Sequence, residues 1–131
     1  MNQIATTENL DVKNYPLGAM FYNVNFRCLY NEKGSIYLRH KLNQLLEILI
    51  NNDGRIVARE ELIEKIWKGN EYVGHKALTH SICKLRQYFS ELGEDKIRIV
   101  TVPKSGYSLI RTDSLPAMIA VKNRNHSIIG I

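Results

Sequence analysis

Five apolar residues, Leu78, Ile82, Leu85, Phe89 and Leu92, follow one another in alternating steps of four and three. Only a helix brings residues at that spacing onto one side. The pattern predicts a helix over 75–92, closed by Gly93. A stripe this apolar must be covered, so the rest of the chain has to supply a core around it. The opposite face carries Lys76, His80, Cys83, Lys84 and Gln87, with Thr79 and Arg86 on its flanks. No acid falls between Glu71 and Glu91. An ordinary solvated helix scatters acids among its bases, and a solvated face is the plain reading. The alternative is a helix laid in a DNA major groove, where Lys reads guanine and Gln or Thr reads adenine or a methyl group.

The covering elements are legible on both sides. In "HKLNQLLEILINN", Leu42, Leu45, Leu46 and Leu49 repeat at helical spacing, and Gly54 follows as a left-handed stop. "RIV" is a brief extended piece. "REELIEKIWKG" is a second helix whose apolar stripe is Leu62, Ile63, Ile66 and Trp67, with Glu60 and Glu61 at its positive end. Its cap position holds Ala58, which forgoes roughly 1 kcal/mol against Ser or Thr. "NEYVG" reads as a linker. Upstream, "MFYNVNFRCLYNEKGSIYLR" alternates aromatic and β-branched runs with Asn-rich breaks, as in a small antiparallel sheet of three or four strands, with "NEKG" as a hairpin loop. Downstream, "KIRIVTVPKSGYSLIR" is a hairpin with Lys104, Ser105 and Gly106 at its tip.

In order, then: sheet, helix, short strand, helix, long basic helix, hairpin. This is an α+β chain with the layout of a winged helix-turn-helix. An N-terminal antiparallel sheet precedes a three-helix core, and a C-terminal β-hairpin serves as the wing. In that layout the third helix enters the major groove, and the wing brings Lys104 to the neighbouring minor groove. Gly106 is expected to let the loop turn tightly and its backbone approach a phosphate. Tyr107 is expected to anchor the wing against the third helix. The domain is expected to span 18–111, between a polar tail over 1–17 and a tail or juxtamembrane linker over 112–131.

Four stretches carry a family resemblance: the N-terminal sheet region, "LLEILINNDGRIVAREELIEKIW", "KALTHSICKLR" and "IVTVPKSGYSLI". Together they resemble the OmpR/PhoB-type winged-helix DNA-binding domain, and within it the ToxR and CadC branch of one-component regulators. The resemblance implies sequence-specific binding to double-stranded promoter DNA, commonly on tandem sites with a second copy alongside. It also implies that the loop over 68–74, with Lys68, Asn70, Glu71 and Tyr72, can touch RNA polymerase. The helix caps and the recognition helix depart from the family pattern. Ala58 replaces the usual Ser cap, and the first helix follows "YLRHK" without a Thr or Ser cap. More seriously, Cys83 and Lys84 stand where relatives often carry Arg, so bidentate guanine reading is lost there and base specificity cannot be copied.

Composition narrows the remaining choices. A chain of 131 residues with a formal charge of +5 is one domain with a mild preference for anionic partners. The only cysteines, Cys28 and Cys83, form no disulfide framework and fit a reducing, cytoplasmic setting. The N-terminus has no apolar signal region, and no run reaches the ~18 apolar residues of a membrane span. "AVKNRNHSIIGI", with Lys122, Arg124 and His126 before Ile128 and Ile129, resembles a positive-inside flank. A tether to the inner membrane is expected after residue 131, and with it a membrane-associated accessory protein. An enzyme is not expected: His75, His80 and Cys83 share one helix without an accompanying acid, so no catalytic residue is named. No cofactor is expected, and no metal, since His80 and Cys83 lack third and fourth ligands. A winged helix that binds protein instead of DNA is the main alternative, and double-stranded RNA is a lesser one. Steep salt dependence separates nucleic-acid binding from a protein interface.

Overall fold

The structure, a computed structural model, describes residues 14–112. Strands β1 (Asn14–Leu17), β2 (Met20–Asn23), β3 (Cys28–Asn31) and β4 (Gly34–Tyr37) form an antiparallel meander in chain order. Helices α1 (His40–Asn51), α2 (Arg59–Trp67) and α3 (Glu71–Glu91) follow, with β5 (Val57–Ala58) between the first two. Strands β6 (Ile97–Val102) and β7 (Gly106–Arg111) make the final hairpin, and β5 joins it to give a second sheet in the order β5-β7-β6.

Alternation builds the first sheet. Met20 and Tyr22 point into the core while Phe21 between them stays exposed and stacks on Tyr30 across the strands. The inner face meets Leu45, Leu46 and Leu49 of α1, which in turn pack with Leu62, Ile63 and Ile66 of α2 and the stripe of α3. One polar pair sits inside: the Tyr22 hydroxyl lies 2.6 Å from Oδ1 of the buried Asn43. Burial raises the ionisation of that hydroxyl well above the usual tyrosine value, and the nearby Glu47 and Tyr15 add to it.

Several elements differ from the sequence expectations. β1 lies inside the stretch expected to be a tail, pairing Tyr15 with Tyr22 and Leu17 with Met20. Pro16 disguises it, yet a proline is tolerated on an edge strand because no neighbour needs its missing N–H. The remaining tail residues, 1–13 and 113–131, with the expected juxtamembrane flank, lie outside the described residues. The third helix starts at Glu71, four residues earlier than its apolar stripe suggests. Asn70 caps it, its side-chain oxygen accepting the Val73 N–H at 3.3 Å. Gly74, expected in a linker, is therefore helical. A side chain there would collide with Ile63, so the glycine marks where α3 crosses α2 closely. The linker shrinks to 68–70, where Lys68 and Gly69 both take left-handed angles (φ 57° and 77°).

Trp67 ends α2 half-buried at the edge of the core. The Lys41 ammonium sits 6.0 Å from the centre of its ring and donates to the Ile66 carbonyl at 3.0 Å, so it also closes the helix end.

Candidate nucleic-acid interface

α3 is held on two sides. Leu78, Ile82, Leu85 and Phe89 are buried against the core. Lys76, Thr79, His80, Cys83 and Gln87 remain exposed, as the helical projection requires. Gln87 donates to Glu91 one turn on, at 3.2 Å. Lys84 is half-buried and rests 5.6 Å from the centre of the Tyr88 ring. Beside this face runs a groove of about 470 Å³, whose walls include Arg39, Lys41, Trp67, His80, Lys84 and Tyr88. Arg39, just before α1, and Lys41 in its first turn thus continue the basic surface of α3.

Arg86 departs from its expected place among the DNA-facing groups. Its Nε and Nη2 donate to the Ile99 carbonyl at 3.0 and 2.7 Å, and Nη2 also donates to Thr101 Oγ1 at 3.0 Å. The guanidinium clamps α3 to the outer edge of β6. Gly106 also departs. It is buried, with φ 153°, and a Cβ on it would fall on the Val57 carbonyl of β5. Its missing side chain makes room for β5, and its position in the ladder lies between Ala58 of β5 and Val102 of β6. The turn instead rests on Pro103 and Lys104. The Ser105 N–H donates to the Val102 carbonyl at 2.9 Å, and Lys104 takes φ 64°, the pattern of a type II turn with proline in second place. Lys104 and Ser105 are exposed at the tip.

The expected polymerase-contact loop is also redrawn. Lys68 and Asn70 lie in the linker, whereas Glu71 and Tyr72 belong to the first turn of α3. Tyr72 is 94% exposed, the most exposed of the large hydrophobic side chains described.

Arg59 is the residue the sequence reading missed. It is the first residue of α2, and its Nη1 donates to the Tyr107 hydroxyl at 2.7 Å. Nη2 donates to the His75 carbonyl at 3.0 Å and to Thr79 Oγ1 at 3.2 Å, and Nε faces His75 Nδ1 at 3.3 Å. The expected anchoring of Tyr107 to the third helix is thus indirect, with Arg59 between them. One sequence signal was available: an arginine at the positive end of a helix is disfavoured by the dipole, so its position asks for a specific partner.

A three-helix core that leaves the solvent face of its longest helix rich in bases, beside a β-hairpin tipped by lysine, defines a winged helix-turn-helix domain. The chain belongs to the family described as "Transcriptional regulatory protein, C terminal", whose model matches residues 32–109. It is 36% identical over 74 residues to the transcriptional activator CadC of Escherichia coli, a match covering 56% of this chain and 14% of CadC. It is 41% identical over 73 residues to the probable transcriptional regulatory protein y4xI of Sinorhizobium fredii, covering 56% of this chain and 32% of that one. The chain therefore spans well under half the length of these relatives. Among solved structures, the DNA-binding domain of E. coli CadC superposes with a TM-score of 0.62 at 29% identity, covering 72% of this chain and 88% of that one. The DNA-binding domain of Klebsiella pneumoniae RstA, solved with the RstA box, shares the fold with a TM-score of 0.59 at 22% identity, over 75% and 97% of the two chains.

Proposed function

We propose that this chain is the DNA-binding domain of a transcriptional regulator that recognises double-stranded promoter DNA. α3 enters the major groove with Lys76, Thr79, His80, Cys83, Lys84 and Gln87 toward the bases and phosphates, and the wing brings Lys104 and Ser105 to the adjacent minor groove. The observation that carries this reading is the solvent face of α3, free of acids between Glu71 and Glu91 and continued by Arg39 and Lys41 at the start of α1. Membership of a transcriptional regulatory family supports it, as does the likeness to the DNA-binding domain of CadC. The linker at 68–70 and the exposed Tyr72 offer a surface to RNA polymerase, and tandem operators would seat a second copy alongside. The parent protein works in the cytoplasm, tethered to the inner membrane through a segment after residue 131 and served by a membrane-associated partner. A parent reading frame that continues into an apolar run of about 20 residues would support the tether; its absence would remove it.

The domain itself is tested by genome-wide footprinting followed by titration of the recovered duplex. Affinity should fall steeply with salt, as counterion release demands. Lys84→Ala should fold normally and weaken the specific complex by about 1–3 kcal/mol, with relaxed preference at the base it reads. A chain that recovers no sites and binds no duplex at low salt would return the reading to a protein-interaction module.

A further inference from the structure

Arginine is a donor only, so every atom its guanidinium bonds must accept. Around Arg59 those atoms are His75 Nδ1, the His75 carbonyl oxygen, Thr79 Oγ1 and the Tyr107 hydroxyl oxygen. A neutral imidazole carries one proton, and with Nδ1 accepting, that proton sits on Nε2. The Thr79 hydroxyl likewise keeps its own proton to give away. His75 and Thr79 stand one turn apart on α3, on the same flank, and both are exposed. Two neutral donors therefore face solvent together, with a fixed positive charge behind them. A base edge mixes donors and acceptors, whereas a phosphodiester oxygen only accepts, and it carries the charge that Arg59 favours.

We infer that His75 Nε2–H and the Thr79 hydroxyl form a binding site for one backbone phosphate of DNA, with Arg59 as the positioning residue that fixes which proton each presents. Arg59 touches no DNA in this arrangement. It works through its partners, and through Tyr107 it holds the wing root in register with the same turn of α3. The inference rests on the DNA-binding reading but has a part that stands apart from it, the tautomer of His75.

The experiment has two arms on the full chain. In the first, long-range proton–nitrogen NMR correlates the imidazole nitrogens of the free protein near pH 8.5, above the ordinary histidine range of about 6.5. A free neutral imidazole favours Nε2–H but keeps a minor Nδ1–H form; His75 should show the Nε2–H form alone, and Arg59→Met should restore the minor form while the circular dichroism spectrum stays folded. A proton on Nδ1 in the wild type, or an unchanged tautomer in the variant, overturns the inference. In the second arm, a random-sequence duplex is titrated at several salt concentrations. His75→Ala should bind about three- to tenfold more weakly with an unchanged salt slope, because the lost donor is neutral. His75→Gln, whose amide N–H can take the place of Nε2–H, should recover most of the loss. Unchanged affinity in His75→Ala overturns the phosphate site alone. A wild-type chain that binds no duplex overturns the DNA reading and the phosphate assignment together, even with the Nε2–H tautomer found.

Discussion

Gly106 and Gly34 have nearly the same backbone angle, φ 153° and 156°, and opposite surroundings. An added Cβ at Gly34 meets nothing within 4 Å, whereas at Gly106 it falls on the Val57 carbonyl and within 2.9 Å of Ala58 Cα. Replacing each by alanine therefore separates backbone strain from collision. Gly34→Ala should carry the strain alone, about 1–2 kcal/mol. Gly106→Ala adds the displacement of β5 from β7, where Val57 pairs with Tyr107 and Ala58 with Gly106. Losing the bonds of those two pairs, at roughly 1 kcal/mol each, brings the total to about 3–4 kcal/mol. For a domain near 100 residues each kcal/mol moves the melting temperature by about 4–8 °C, so the Gly106 variant should melt on the order of 15–30 °C lower. Thermal unfolding followed by circular dichroism reads both. Equal melting temperatures for the two variants would refute the close crossing of β5 over the wing. The same displacement would move Arg59, which directly follows β5, so the surviving Gly106→Ala fold should also bind DNA less well.

Three further outcomes follow from the same geometry. Lys104→Ala should lower affinity for specific and random DNA alike and flatten the slope of log affinity against log salt by about 0.9; Lys104→Gly should do the same while raising the melting temperature, since glycine suits φ 64°, and parallel salt lines for wild type and variants would remove the wing contact. Trp67→Ala should cost about 2–3 kcal/mol, less than a fully buried tryptophan, because the ring is half-buried beneath Lys41; an unchanged denaturation midpoint would show that it packs on nothing. Tyr22 binds its proton more tightly folded than unfolded, so its contribution is constant below the ordinary tyrosine value of 10.0 and is lost as pH rises above it, where only the unfolded chain ionises. Alkaline titration of stability should therefore fall less steeply in Tyr22→Phe, and identical profiles would place the hydroxyl in water.

The three helices and the wing were legible because each announces itself within a few residues. The stripes of Leu42, Leu45, Leu46 and Leu49, of Leu62, Ile63 and Ile66, and of Leu78, Ile82, Leu85 and Phe89 are the residues that fill the core. What escaped was either disguised or distant. Pro16 made β1 look like coil, and Gly74 made a helix crossing look like a linker, since either residue is a breaker unless its neighbours say otherwise. On the face of α3, the exposed positions were projected correctly, but Arg86 turned inward because its acceptor, Ile99, is supplied by another element. Arg59 bonds residues 16, 20 and 48 positions away. Glu94 was as silent: buried, it accepts the N–H groups of Ala19 and Lys96, each at 2.8 Å, and so ties the first sheet to the start of the hairpin. No local period records such partners.

The position of Arg86 bears on how copies of this chain behave when crowded. β6 is an edge strand, and its sequence, IRIVTV, is the β-branched, apolar kind that recruits a strand from another molecule. Sheet growth across that edge needs the Ile99 carbonyl as an acceptor. Two guanidinium N–H groups already occupy it, and the same side chain also donates to the Thr101 hydroxyl. An incoming strand would have to strip a charged, doubly bonded group from the middle of the ladder before it could pair. The helix that carries the regulator's basic face therefore also serves as a gatekeeper, keeping the edge beside it from seeding fibrils.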